Sequence, residues 1–341
     1  MNFGLIGAGG IGRVRAQALR ATPGCRLAAV ADLDRARAAS VAGGAACFSG
    51  YRELLAAAEV DAVVISTPPP SHEEIVLAAL ENSKHVLCEK PLAPTVAAAR
   101  RMVEAARRAG RILTTGFNHR YFPAVKFLKQ TLDSGRLGKL DHVRAFAGHE
   151  GLSQFSAPWM YDKEVIGGGA LLDVGIHIID LTRYLLGEVG QVYGVATNGV
   201  WGLPAEDNGI AILRSPSGVP ATLHATWTEW KGYRFHIEVY GDAGMARAYY
   251  APMFAMAVYF DRSSGRRRRE FHCYPEILLR EKFRGWQTTT SLAFQEEFRD
   301  FVRLVGGAGG VALADGWAGL RAVEIAHAVY QSTATGLPVR L

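Results

Sequence analysis

The chain has 341 residues, 49% of them hydrophobic, with a formal net charge of +6. That length exceeds what one core usually supports, so two domains are expected, and no apolar run is long enough to span a membrane. Four scattered cysteines (Cys25, Cys47, Cys88, Cys273) without a CxxC pair read as reduced thiols and not as zinc ligands, so no metal is expected.

A strand-like stretch, NFGLIGAGG, begins at the second residue and leaves no room for a signal peptide, which favours a cytoplasmic protein. The first 120 residues then alternate strand and helix. Strand-like runs fall at 2–7, 26–32, 61–67, 84–89 and 111–117, separated by helical stretches such as IGRVRAQALRA, DRARAASVA, YRELLAAA, SHEEIVLAALEN and TVAAARRMVEAARRA. The strands are continuous apolar runs, as expected when both faces are buried. The pattern predicts an α/β domain, a doubly wound parallel sheet, over residues 1–120.

From residue 121 the pattern changes. One helix, PAVKFLKQTLDSG, precedes a series of longer strand candidates joined by turns such as SPSG, GDAG and RSSG. A helix, GALLDVGIHIIDLTRYLLG, interrupts the series, and two helices near 292–305 and 315–332 close the chain. Residues 121–341 are expected to form an α+β domain with a large, mainly antiparallel open-faced sheet, the C-terminal helix being free to pack back on the first domain. The strand from Val219 alternates: Val219, Ala221, Leu223, Ala225 and Trp227 on one face, Thr222, His224, Thr226 and Thr228 on the other. A second copy is the expected cover for the outer face, as homodimer or homotetramer. The tract Arg266–Arg269 reads as a solvated hairpin between AMAVYF and EFHCY. No basic and aromatic surface accompanies it, so no nucleic-acid partner is expected.

GAGGIG places Gly7, Gly9 and Gly12 in GxGxxG spacing, with Gly10 and Ile11 between the last two. It follows a strand and opens a helix. Gly7 permits the tight turn, Gly9 lets a pyrophosphate approach, and Gly12 allows close helix packing. Asp32, twenty residues after Gly12, ends the next strand, where a carboxylate would hold ribose hydroxyls. It would repel a 2′-phosphate, so NAD is expected ahead of NADP; Arg35 could partly compensate. Ser66, Thr67 and His72, in STPPPSHEE after the 61–67 strand, are candidates for the nicotinamide end, with an ordinary helix start the other reading of His72. Glu89 and Lys90 close the 84–89 strand at the same carboxyl edge and join the cofactor-binding set, because charges belong there if a reacting group does.

GAGGIGR, CEKPLA and GGGALLDVGIHIIDLTRYLLG, in that order over essentially the whole chain, resemble the glucose–fructose oxidoreductase / inositol dehydrogenase / rhizopine catabolism (Gfo/Idh/MocA) family. The resemblance implies a Rossmann domain followed by an open-faced sheet domain, an active site between them, and a cis Lys90–Pro91 bond. It implies that Lys90, Asp173 and His177 are catalytic. Their chemistry agrees: Asp173 and His177 are four apart on an expected helix, histidine titrates in the useful range for a base, and lysine can stabilise an alkoxide. Gly167–Gly169 before that helix would let the chain approach a ligand. Asn118, His119 and Arg120 in TTGFNHRYFP, and Trp159 in SAPWMYDKE, join the substrate-binding set, although His119 and Trp159 also read as core residues.

The function expected is hydride transfer between NAD and a secondary hydroxyl of a sugar, cyclitol or sugar derivative. Two alternatives stand beside it: a redox-neutral NAD-dependent glycosidase that keeps its cofactor, and a non-catalytic dinucleotide sensor. The retained Lys90, Asp173 and His177 argue against the sensor.

Overall fold

The computed structural model describes residues 1–57, 59–155 and 157–341. Contacts divide the chain into two units, residues 1–121 with 280–320 and residues 122–279 with 321–341. The first unit therefore takes in a C-terminal stretch beyond the expected 1–120.

The first unit starts with β1 (Asn2–Ile6), α1 (Gly10–Ala21), β2 (Arg26–Ala31), α2 (Arg35–Ala42), β3 (Ala46–Phe48) and α3 (Tyr51–Ala57). The expected helix YRELLAAA runs on to Ala58, which lies outside the described residues. Then come β4 (Ala62–Ile65), α4 (His72–Glu81), β5 (His85–Cys88), α5 (Val96–Ala109) and β6 (Leu113–Thr115). The six strands pair in parallel in the order β3-β2-β1-β4-β5-β6. Ala62, Val63, Val64 and Ile65 of β4 are all fully buried, which is why this strand reads as an unbroken apolar run. β3 was not anticipated, since three half-exposed residues give no apolar run. Side-chain caps fix two helix starts: Asp34 accepts from the amides of Ala36 and Arg37, and Thr95 from that of Ala98. The chain order reverses between β1 and β4, so the loops after those strands open at the switch point where ligands bind in such sheets.

The second unit contains α6 (Pro123–Asp133), β7 (Leu140–Gly148), α7 (Lys163–Ile166), α8 (Ala170–Asp173), α9 (Gly175–Leu186), β8 (Gln191–Thr197), β9 (Asn208–Arg214), β10 (Pro220–Thr226), β11 (Arg234–Gly241), β12 (Gly244–Tyr250), β13 (Phe254–Asp261) and β14 (Arg266–Cys273). The chain continues through α10 (Pro275–Arg284), α11 (Gln287–Val305), α12 (Gly316–Thr335) and β15 (Val339–Arg340). Nine strands form one sheet, β14-β13-β12-β11-β7-β10-β9-β8-β15, antiparallel except where β10 runs parallel to β7. The central strands alternate over most of their length: Ala221, Leu223 and Ala225 are buried, with Val143, Ala145, Ile237 and Val239 beside them, while Thr226 at the end of β10 is buried as well. α9 lies against β7, β10 and β11, and Gly175 makes that approach possible, because a Cβ there would lie 2.7 Å from the Ala225 methyl.

Arg266–Arg269 lie exposed in the hairpin expected there, on its edge strand β14, paired in register with β13. The helix expected over GALLDVGIHIIDLTRYLLG is broken: α8 ends at Asp173, α9 starts at Gly175, and the helical stretches on either side differ in direction by 51°. α10 and β15 were unforeseen. α10 has a single buried residue, Ile277, and thus no apolar stripe to read.

Candidate active site

In the first unit the turn after β1 is built as GxGxxG spacing requires. Gly7 has φ +93, and a Cβ on it would lie 2.7 Å from the Ser66 backbone; a Cβ on Gly12 would lie 2.0 Å from the Gly7 carbonyl oxygen. Gly9 and Gly10 border open space, at the N-terminus of a twelve-residue helix. Beside this turn the Ser66 hydroxyl is buried with no hydrogen-bond partner among the described residues. An open glycine edge, a helix N-terminus and an orphaned hydroxyl fit a dinucleotide phosphate. Asp32 is drawn into the same turn: Oδ2 accepts from the Ala8 amide at 2.8 Å and Oδ1 from the Asp34 amide at 2.9 Å. The cation beside it is Arg37, at 3.7 Å, and not Arg35. Thr67 Oγ1 accepts from Ser71.

The loop carrying Lys90 is tied down from two sides. His72 is fully buried; its Nε2 lies 2.9 Å from the Thr67 carbonyl and its Nδ1 3.1 Å from that of Pro91 and 3.2 Å from that of Leu92. The ring thus bridges the loops after β4 and β5, and burial lowers its pKa. Glu89 turns to Arg15, whose Nε donates to Oε1 at 2.7 Å. Arg15 is fully buried, also pairs with Glu297, and stacks 3.5 Å from the Phe294 ring centroid. A Cβ on Gly116 would lie 2.6 Å from the Arg15 guanidinium, which accounts for the glycine of TTGF. The Lys90–Pro91 bond is cis. His119 is buried, and desolvation, with the Lys90 charge acting in the same direction, lowers its pKa to about 3. Asn118 and Arg120 are buried beside it, and Arg120 donates to the Ala312 carbonyl at 3.1 Å.

In the second unit Asp173 and His177 flank the helix break. Asp173 Oδ2 lies 2.9 Å from His149 Nε2 and accepts from Trp227 Nε1 at 3.1 Å. His177 is buried. Burial and then the Asp173 carboxylate push the Tyr233 phenol up. The glycines before α8 have a packing cause. Gly167 ends α7 with φ +85, a Cβ on Gly168 would lie 2.0 Å from the Tyr330 hydroxyl, and one on Gly169 2.2 Å from the Glu206 carbonyl. Glu206 holds the start of α8: its Oε1 accepts from the Leu171 amide at 2.9 Å and from Tyr330 at 2.8 Å. Trp159 is 40% exposed, so its core reading fails, and the buried indole is that of Trp227.

Sequence reasoning missed Arg15, Glu297, His149, Trp227, Glu206 and Tyr330. One of them carried a legible signal. His149 closes the strand candidate DHVRAFAGH as Glu89 closes KHVLCE, a polar group at the end of a strand. The others contact their partners only through the fold.

Residues 1–117 match the oxidoreductase family with an NAD-binding Rossmann fold, and residues 125–247 match the GFO/IDH/MocA C-terminal domain. Inositol 2-dehydrogenase 2 of Saccharopolyspora erythraea is 32% identical, over 98% of this chain and 94% of its own. Inositol 2-dehydrogenase of Rubrobacter xylanophilus is 30% identical over 99% and 92%. Among solved structures, levoglucosan dehydrogenase in complex with NADH and levoglucosan superposes with a TM-score of 0.88 at 25% identity, covering 100% of this chain and 99% of that one. A myo-inositol dehydrogenase described as putative, from Sinorhizobium meliloti 1021, gives 0.81 at 27%, with 100% and 99% covered.

Proposed function

The chain belongs to the Gfo/Idh/MocA family of NAD-binding oxidoreductases, and from that membership we propose that it oxidises a secondary hydroxyl of a cyclitol or sugar. The observation that carries this reading is whole-length likeness to inositol 2-dehydrogenases. NAD would be held by Gly7, Gly9, Gly10, Ile11 and Gly12 at the phosphates, Asp32 at the ribose, and Ser66 and Thr67 toward the nicotinamide. When bound, it supplies the acceptor for the hydride that leaves the substrate carbon.

The chain's own residues divide the remaining work. His177 accepts the hydroxyl proton as the carbon–hydrogen bond breaks. Lys90 stabilises the oxygen while it carries negative charge, and Asp173 orients the hydroxyl group. Glu89 and His72 hold the Lys90 loop through Arg15 and the Pro91 and Leu92 carbonyls. His119, kept neutral by burial, serves as a hydrogen-bonding group and not as a base. Asn118, Arg120 and Trp159 are assigned to the substrate's other groups.

Lys90→Met keeps much of the side chain's length and removes its charge. It should leave NAD affinity nearly unchanged and lower turnover by about a hundredfold or more. The assay is NADH formation against a panel including myo-inositol and levoglucosan. A folded, NAD-binding Lys90→Met protein with native turnover would move the site elsewhere. Accumulation of free NADH also separates this reaction from a redox-neutral glycosidase. A cytoplasmic setting accords with four free thiols, and a second copy of the chain is the proposed cover for the open sheet face.

A further inference from the structure

His149 is 5% exposed, at the end of β7, and both of its ring nitrogens are engaged. The Gly151 amide donates to Nδ1 at 2.9 Å. An amide N–H can only donate, so Nδ1 must present its lone pair. The one ring proton of neutral imidazole then belongs to Nε2, which lies 2.9 Å from Asp173 Oδ2. A doubly protonated ring would set an Nδ1–H against the Gly151 N–H at that same short distance.

The Asp173 oxygen receives a second obligate donor, Trp227 Nε1–H at 3.1 Å. With two donors aimed at it, Oδ2 has no room for a carboxyl proton of its own. The donors are fixed by one another. Gly151 has φ +70, and a Cβ there would lie 2.3 Å from Trp201 Nε1. Trp201 Nε1 donates to the Trp227 carbonyl at 2.9 Å, and the Trp227 amide donates to the Asp207 carbonyl at 2.8 Å. Asp207 in turn accepts from the Val200 amide at 2.6 Å. The tautomer of one histidine is thereby set by a closed ring of loop contacts.

We propose that His149 is a positioning residue, locked as the neutral Nε2–H tautomer, that holds Asp173 as an oriented hydrogen-bond acceptor. It exchanges no proton with substrate. This leaves His177 to take the hydroxyl proton and gives Asp173 an orienting task alone. The inference rests on the reading that Asp173 belongs to the reacting site.

Two measurements on the full chain test it. The first needs neither a substrate nor a functional variant: long-range nitrogen–proton NMR of histidine-labelled protein, with the His149 signals assigned by their loss in His149→Gln. The expected pattern is an unprotonated Nδ1 and a protonated Nε2. An Nδ1–H tautomer or an imidazolium would overturn the proposal. The second is steady-state turnover on the sugar and cyclitol panel with NAD. His149→Ala should lower kcat about tenfold or more, the order seen when an outer partner of a reacting group is lost, without changing KM for NAD. His149→Gln, which can still donate to Asp173, should recover most of that loss. Full activity in Asp173→Asn would sink the reading of Asp173 itself. An inactive Asp173→Asn beside a His149→Ala with native kcat would sink only the role given to His149.

Discussion

Arg15 carries one positive charge and faces two carboxylates, Glu89 and Glu297, inside the first unit. If both were ionised, a net negative charge would be buried. Desolvation falls hardest on Glu297, and although Arg15 pulls the other way, its pKa is raised from 4.5 to about 7. The folded chain therefore binds this proton more tightly than the unfolded chain does. The stability contribution is fully present below the ordinary carboxylate value and is lost as pH rises through about 7. Glu297→Gln should flatten the fall of melting temperature between about pH 5 and about pH 8; an unchanged slope would show that another group titrates there. Asp32 belongs to the same scale. Asp32→Ala should weaken NAD and narrow its advantage over NADP, with Arg37 left beside the position to meet a 2′-phosphate. A native protein that prefers NADP in titration would remove the ribose role from Asp32.

The element that matters most is the broken α8–α9 segment, because it carries both Asp173 and His177. Its start is clamped by Glu206 and Tyr330 against Gly168 and Gly169, with no backbone room left over. Gly168→Ala should cost about 1–3 kcal/mol of stability through overpacking against the Tyr330 hydroxyl. Adding Tyr330→Phe removes the obstructing oxygen, so the double variant should lose less than the sum of the single losses in denaturant titrations. Strict additivity would mean that the glycine answers to something other than Tyr330.

For the whole molecule, the open face of the nine-stranded sheet is the feature without a counterpart in an isolated chain. Tyr193, Val195, Ile210 and Ile212 point outward from β8 and β9, with Ile210 and Ile212 each 52% exposed. Toward the centre, Phe146 stacks on His236 at 5.4 Å, and His236 on Tyr249 at 6.1 Å. An apolar and aromatic field of this breadth suits burial against a copy of itself. The arginines of β14 stand on an edge strand, where repeated charge discourages pairing with other strands. Light scattering at micromolar concentration should report a dimer or tetramer of the 36.9 kDa chain. Ile210→Lys with Ile212→Lys should shift it toward monomer. A native protein that scatters only as monomer would leave the face for some other partner.

Local chemistry made much of this chain legible before its fold was known. Gly7 and Gly12 were readable because a tight turn against a neighbouring strand admits no side chain, whatever the rest of the molecule does. The parallel strands were readable because burial on both faces demands unbroken apolar runs, and the outer sheet because half-burial imposes alternation. The Lys90 loop stood out because charges at the end of a buried strand need a reason. What tertiary structure alone decided lies in contacts between residues far apart in the chain. Arg15 meets Glu297 across 282 positions, and Tyr330 meets Glu206 across 124. No spacing rule reaches that far, so the glycines before α8 signalled a close approach without showing that a tyrosine and a carbonyl pack against them. The tautomer of His149 was hidden for the same reason: it is set by neighbours that only folding supplies.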